Sequence, residues 1–185
     1  MGHLQPGGEA EPVIETARLI LRQYREEDRA PFRAMMADPE VMHDWPAPFT
    51  EAGADQYLER RRGQIAATGF GKWAVERRSD SAFLGFVGAS EAYAALPVAP
   101  ALEVGWRLAR HAWGGGYATE AARAALIDIF ARTDAAEVLS FTSPTNDRSL
   151  AVMRRLGLER DKARDFIYET GLPAVVFAAR RRAWA

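Results

Sequence analysis

The chain has 185 residues, 48% of them hydrophobic and 26% charged, which suits one globular domain with its own core and excludes a disordered chain. Its 24 basic and 25 acidic residues leave a net charge of -1, so no global field draws it to nucleic acid or to an anionic membrane. It holds no cysteine, which excludes disulfides, thiolate metal ligands and an acyl-cysteine relay.

No apolar run approaches the roughly 20 residues that span a bilayer. The opening MGHLQPGGEAEP lacks the basic-then-apolar order of a secretory signal. Residues 1–12 read as a loose tail ahead of one domain over 13–185, and a cytoplasmic location is expected. From Val13 to Tyr24 the stretch RLILRQY alternates, with Leu19 and Leu21 on one face, as in a strand. From Arg25 to Ala37 the spacing becomes helical, with Phe32, Met35 and Met36 together, and Asp38-Pro39 ends it. VMHDWPAPF reads as a loop, and Thr50 caps a second helix that carries Tyr57, Leu58 and Ile65. RRR at Arg60 to Arg62 on that helix reads as a solvated face.

GFGKWAVERR, FLGFVGASEAY and ALEVGWRLAR form an antiparallel meander. A helix follows three glycines and ends near Arg132 and Thr133; its apolar stripe is Ala118, Ala122, Leu126, Ile129 and Phe130. Glu137 to Phe141 is a short strand. Asn146 caps a helix that runs to Leu156 and stops at Gly157, and strands over Leu158 to Tyr168 and Ala174 to Ala179 close the chain. The C-terminal ARRRAWA reads as a frayed end or a dimer contact. The fold class is α/β in the α+β sense: one domain with a mixed, mostly antiparallel sheet of six to seven strands and about four helices.

The segment WGGGYATEA, from Trp113, sets three glycines before a helix, although glycine costs about 1 kcal/mol in a helix interior. Bare backbone there exposes N–H groups and the positive end of the helix dipole. The physical reading is an anion cradle, most simply for a diphosphate. The nucleotide P-loop pattern fails because no lysine follows the glycines. The dinucleotide fingerprint fails because Thr119 stands where the third glycine belongs, and antiparallel strands disagree with a βαβ unit.

ALEVGWRLAR followed by WGGGYATEA resembles the acetyl-CoA site of the GNAT superfamily of N-acetyltransferases, in the branch that includes the ribosomal-protein N-terminal acetyltransferases. The superfamily pattern Gln/Arg-x-x-Gly-x-Gly/Ala becomes Trp113-Gly114-Gly115-Gly116-Tyr117-Ala118 here, with Trp in the place of Gln or Arg. Asn146-Asp147-Arg148-Ser149 with MRRLGLER is similar to the family's Asn-x-x-Ser helix and its Leu-Gly-Phe ending, Leu158 standing for Phe. ETARLILRQYREED is similar to the branch's first strand and turn.

The resemblance implies acetyl transfer from acetyl-CoA to a primary amine by direct attack in a ternary complex. It implies that the main chain of Trp106, Arg107, Leu108 and Ala109 pairs with the pantetheine arm as an added half-strand. The amides of Gly114, Gly115, Gly116, Tyr117, Ala118 and Thr119 are then expected on the diphosphate, beside Trp113, with Arg110 or His111 at the rim. Glu103, on the strand before the cradle, is the candidate base, and its bland reading is an exposed or ion-paired strand residue. Glu91 is the reserve base or a counter-charge for the amine. Ser149 is implied as the proton donor to the departing sulfur, since Met153 stands where many members carry Tyr; its bland reading is a first-turn serine. Asn146 is an N-cap that also serves the pantetheine arm or Ser149.

The loop VMHDWPAPF is expected to wall the acceptor side, with Trp45, Pro46 and Phe49 as contacts. A free α-amine has a pKa of about 7.7–8.0 against about 10.4 for lysine, which favours a peptide or protein N-terminus over a small amine or antibiotic as acceptor. A noncatalytic acyl-CoA-binding sensor on the same fold is the reading from another class. No His/Asp/Glu cluster has metal spacing, so no metal is expected. Ser90 lacks the G-x-S-x-G elbow of a hydrolase. No nucleic-acid or membrane partner is expected, and the chain is read as a monomer or homodimer.

Overall fold

A computed structural model describes residues 14–184; the expected tail over 1–12 lies outside them. In chain order the elements are β1 (Ile14–Glu15), β2 (Leu19–Arg22), α1 (Arg29–Ala37), α2 (Glu51–Thr68), β3 (Lys72–Arg77), β4 (Phe83–Glu91), β5 (Leu102–Leu108), α3 (Tyr117–Arg132), β6 (Glu137–Thr142), α4 (Asp147–Arg155), β7 (Glu159–Arg160), β8 (Phe166–Ile167) and β9 (Pro173–Arg180). The sheet order is β1-β2-β3-β4-β5-β6-β9-β7, with β8 on β9. Every pairing is antiparallel except β5 with β6.

Nine strands replace the six or seven expected, because two expected strands are broken. A turn at Thr16 divides the first. In the second, Asp161 to Asp165 carries no alternation; Arg164 pairs with Asp161 at 2.8 Å and the backbone tightens into a 3-10 turn over Lys162–Arg164. That leaves β7 and β8 as two-residue strands on either side.

The helices begin and end for local reasons. Thr50 Oγ1 accepts from the Gly53 N–H at 3.2 Å to start α2, and Gly69 ends it at φ 75°. Asn146 Oδ1 accepts from the Ser149 N–H at 3.1 Å to start α4. β4 is buried from Phe83 to Ser90, so it is covered on both faces. Phe86 meets Phe32 of α1 and Tyr57 of α2, each at 6.0 Å between ring centroids, which fixes those helices on one face. α3 covers the other face through Ala121, Ala122, Ala125, Leu126 and Ile129, and its three alanines allow close approach to β4 and β5. Each large core side chain buried this way contributes about 1.5–3 kcal/mol.

Burial also takes in charge. Arg22 Nε donates to Glu76 Oε2 at 2.6 Å and Arg22 Nη1 to Asp28 Oδ2 at 2.7 Å, with all three residues buried. The stretch from Arg181 to Trp184 is braced rather than frayed. Arg181 donates to the carbonyls of Phe130, Thr133 and Ala135 at the end of α3, and Trp184 packs on Phe130.

Candidate active site

β5 pairs with β4 along its whole length, from Leu102 to Leu108. On its other side it meets β6 at one position only, Glu103 opposite Leu139. Beyond Glu103 the two strands splay, and the edge of β5 from Val104 to Leu108 faces a gap instead of a strand. A wedge of unpaired main chain therefore opens at the centre of the sheet.

The glycine turn lies at the mouth of this wedge. Gly114 and Gly116 both take φ 77°, a left-handed conformation that costs other residues about 1–2 kcal/mol. A Cβ on Gly114 would meet nothing within 4 Å, so that side of the turn faces open space. The N–H groups of Gly114, Gly115 and Gly116 donate to no residue among the described ones, and α3 begins without a side-chain cap. Arg18 holds the turn from behind. Its Nη1 donates to the Gly115 carbonyl at 2.9 Å, its guanidinium lies 4.6 Å from the Tyr117 ring centroid, and it pairs with Glu120 at 2.6 Å.

A groove of about 1020 Å³ runs from this turn along β5 to α4, lined by Trp106, Arg107, Leu108, the turn from Trp113 to Thr119, Asn146 and Ser149. Three expected coenzyme contacts, Ala109, Arg110 and His111, fall outside it. Ala109 is buried and donates its N–H to Leu84, and Arg110 turns away to Asp38 at 2.6 Å. Trp113 lines the groove with its ring, but its indole N–H is already given to the Leu108 carbonyl at 2.8 Å. Arg148 stacks over that ring at 3.8 Å, and Arg148, Arg123 and Arg155 line the groove as cations that sequence reasoning passed over.

A second cleft, of about 1190 Å³, opens on the α1/α2 face. It holds Glu103, Glu91, Trp45 and Pro46, whereas Phe49 is packed behind Trp45 at 5.2 Å and is not exposed to it. Glu91 is exposed at the end of β4. Glu103 is not free: Lys72 of β3 lies 3.0 Å from its Oε1. Register explains the meeting. Lys72 faces Gly88, which faces Gly105, two residues along β5 from Glu103, so all project from one face. With no side chain at Gly105, the lysine crosses over it; a Cβ there would lie 2.8 Å from Nζ. Burial lowers the Lys72 pKa below 10.5, and the Glu103 carboxylate opposes that shift. Ser90, opposite Glu103, is fully buried and its hydroxyl has no partner among the described residues.

The groove and the cleft share His43, Asp44, Trp106, Arg107 and Ser149. Asp44, from the loop after α1, clamps this junction. Its Oδ1 accepts from both terminal nitrogens of Arg107 at 3.1 Å, and its Oδ2 accepts from Asn146 at 3.2 Å. Asn146 is thus tied to the loop after α1 as well as capping α4. The Ser149 hydroxyl has no partner among the described residues. Tyr168, read from the sequence only as the end of a strand, also lines the cleft; burial and the negative charges of Glu103 and Asp44 push its pKa up to about 12, so it remains a donor. Among the described residues no group of three His, Asp or Glu side chains is placed to hold a metal, and no helix is long and apolar enough to cross a membrane.

A splayed β5/β6 pair, an uncapped glycine turn and two clefts joined at the splay define a protein that brings a long phosphorylated carrier against a second substrate. The acetyltransferase (GNAT) domain model matches residues 18–159, and the chain belongs to that family. It is an acetyl-CoA-dependent N-acetyltransferase. It is 32% identical over 179 residues to the FsC-acetyl coenzyme A-N(2)-transacetylase of Aspergillus fumigatus, covering 90% of this chain and 73% of that one. An acetyltransferase from Agrobacterium tumefaciens shares the fold with a TM-score of 0.78 and 24% identity over 96% of this chain and 99% of its own. RimL, a ribosomal L7/L12 alpha-N-protein acetyltransferase seen in complex with coenzyme A, shares it with a TM-score of 0.70 and 16% identity over 91% and 98%.

Proposed function

We propose that this chain acetylates an α-amine by direct attack within a ternary complex, with acetyl-CoA in the groove and the amine in the cleft. The observation that carries the reading is the junction, where Trp106, Arg107 and Ser149 line both spaces. Acetyl-CoA supplies an activated acyl carbon and a thiolate leaving group. The free edge of β5 from Trp106 to Leu108 binds the pantetheine amides, and the N–H groups from Gly114 to Thr119 hold the diphosphate. The cations of Arg123, Arg148 and Arg155 add to the attraction for phosphate.

Glu103 draws the acceptor ammonium to the junction and takes its proton, directly or through a water. Lys72 occupies one carboxylate oxygen, so Oε2 is the atom that meets the amine. Ser149 donates to the departing sulfur, with its main chain fixed by Asn146 and Asn146 fixed by Asp44. An α-amine suits the site because it sheds its proton near pH 8, where a lysine amine stays charged. The relatives that act on a protein N-terminus and on an N(2) amine support that acceptor chemistry.

The test is a thiol-release assay with acetyl-CoA over peptides, amino acids, polyamines and aminoglycosides, repeated with Glu103→Gln and Ser149→Ala. Each variant should lower kcat by about 10²–10⁴-fold while binding coenzyme A as tightly as the parent. Turnover of no amine at all would point to an acyl-CoA sensor instead.

A further inference from the structure

The acceptor cleft carries two unpaired cations on one wall. Arg60 and Arg61 of α2 flank the Tyr57 ring, at 4.9 and 4.6 Å from its centroid, and neither has a carboxylate within ion-pair distance among the described residues. The helical period places Tyr57, Arg61 and Ile65 on one face, which turns Arg61 inward where the charge run had suggested solvent. Arg61 donates to Tyr57 Oη and to Gln64 Oε1, both neutral, and its Nε is buried without a partner. An arginine in that state costs stability of its own, since a buried charged donor without an acceptor forfeits its solvation. The other cations of the cleft are matched: Lys72 by Glu103, and Arg107 by Asp44.

Across the cleft, Glu91 at the end of β4 and Glu169 after β8 are exposed carboxylates without an ion-pair partner among the described residues. The cleft is therefore polarised, positive along α2 and negative along the opposite rim. It is also apolar in between. The large hydrophobic side chains exposed in the described residues include Trp45 at 37%, Tyr93 at 70%, Ile167 at 67% and Leu172 at 44%, and all four line this cleft. Apolar surface gathered at one mouth marks a binding site rather than chance exposure.

Resting on the acetyltransferase reading, we infer that the acceptor is an α-amine that also carries a carboxylate and a large apolar body, the carboxylate seating on Arg61 and the ammonium facing Glu103. A hydrophobic amino acid meets this description, and so does a peptide N-terminus with an apolar first residue and an acidic second or third. Arg61 supplies the planar fork that pairs with a carboxylate, and Arg60 adds a second cation at the rim.

The experiment measures kcat/KM with acetyl-CoA for tryptophan, phenylalanine and methionine against their C-terminal amides, and for peptides with an aromatic first residue followed by Glu or by Gln. The acids should exceed the amides, or the Glu peptides the Gln peptides, by about 10- to 100-fold, and the arm that shows the gap identifies the source. In Arg61→Met that ratio should fall toward one, with unchanged affinity for coenzyme A showing that the fold is kept. Equal rates on acids and amides in both arms, or a gap that survives Arg61→Met, would overturn the inference while leaving the transferase intact. Coenzyme A binding without turnover of any amine would overturn the transferase reading and this inference with it.

Discussion

Lys72 Nζ lies 3.0 Å from Glu103 Oε1, and the ammonium is buried with no second carboxylate among the described residues at ion-pair distance. A buried charge held by one partner is lost with that partner, and the partner is held in turn. Lys72 is thus a positioning residue for the carboxylate proposed to take the proton. Lys72→Met should lower kcat by about 100-fold, the scale of a small misplacement of a reacting group, with the KM for acetyl-CoA unchanged. The lysine loses its proton below pH 10.5, so the parent should show an alkaline limb in its pH–rate profile that Lys72→Met lacks. A rate and profile untouched by the substitution would reduce the pair to a structural one.

The same relationship makes Gly105 testable. A methyl group there would lie 2.8 Å from Nζ and 3.7 Å from Cε, and the flexible end of the lysine would give way. Gly105→Ala should fold and should lose kcat much as Lys72→Met does. The double variant should be no worse than either single one, because both break one contact. Steady-state kinetics on the three variants reads the coupling directly.

What could be read from the sequence, and what could not, follows from how each signal is built. The glycine turn, α3 and the Asn146 cap are local in sequence, and each sits within two residues of its expected place. Lys72 was invisible because β3 is buried on both faces, so no alternation separates its inward residues from its outward ones. The signal that existed was indirect: glycines at 88 and 105 in neighbouring strands, which mark a passage kept open for something. Arg61 was legible from its four-residue spacing to Tyr57 and Ile65, but the run of three arginines argued the other way. Asp44 had no signal, since its loop has no period and its partners lie 63 and 102 residues away.

Asp44 yields a prediction that separates a junction residue from an acceptor-side one. It holds Arg107 of β5 and Asn146 at the head of α4, so both spaces depend on it. Asp44→Ala should raise the KM for acetyl-CoA and for the acceptor together, each by about 10-fold, the worth of a charge-assisted hydrogen bond. Initial rates varied in both substrates distinguish this from Trp45→Ala, which should raise the acceptor KM alone.

At Gly116, φ 77° is a left-handed conformation that strains any residue with a Cβ, although that Cβ would meet only Arg18 Nη2, at 3.5 Å. Alanine there costs about 1–2 kcal/mol in the left-handed conformation, and the turn relieves that strain only by swinging its N–H groups out of line. Gly116→Ala should therefore weaken coenzyme A binding by about 10-fold in calorimetry, with a smaller effect on pantetheine, which lacks the diphosphate. Equal weakening of both ligands would place the diphosphate elsewhere.

The second cleft is walled on one side by α2, and α2 is fastened to α1 by Asp55. Arg33 Nε donates to Asp55 Oδ1 at 2.8 Å, and Arg29 lies 3.3 Å from the same oxygen. The Arg33 hydrogen bonds, helped by Arg29, hold the Asp55 carboxyl down from 3.8 to about 2 in the folded chain. Between those two values the unfolded chain binds the proton and the folded chain does not, so acidification favours unfolding in that window. The stabilisation is complete above the unfolded value and disappears as pH falls through the folded one. The difference in Tm between the parent and Asp55→Asn should accordingly be constant near neutrality, shrink below about pH 4 and vanish only well below about pH 2. Thermal melts at low ionic strength across that range measure it, and added salt should diminish the whole effect because the pair is exposed to solvent. A difference that persisted unchanged at about pH 1 would mean that the aspartate acts through packing and not through its charge.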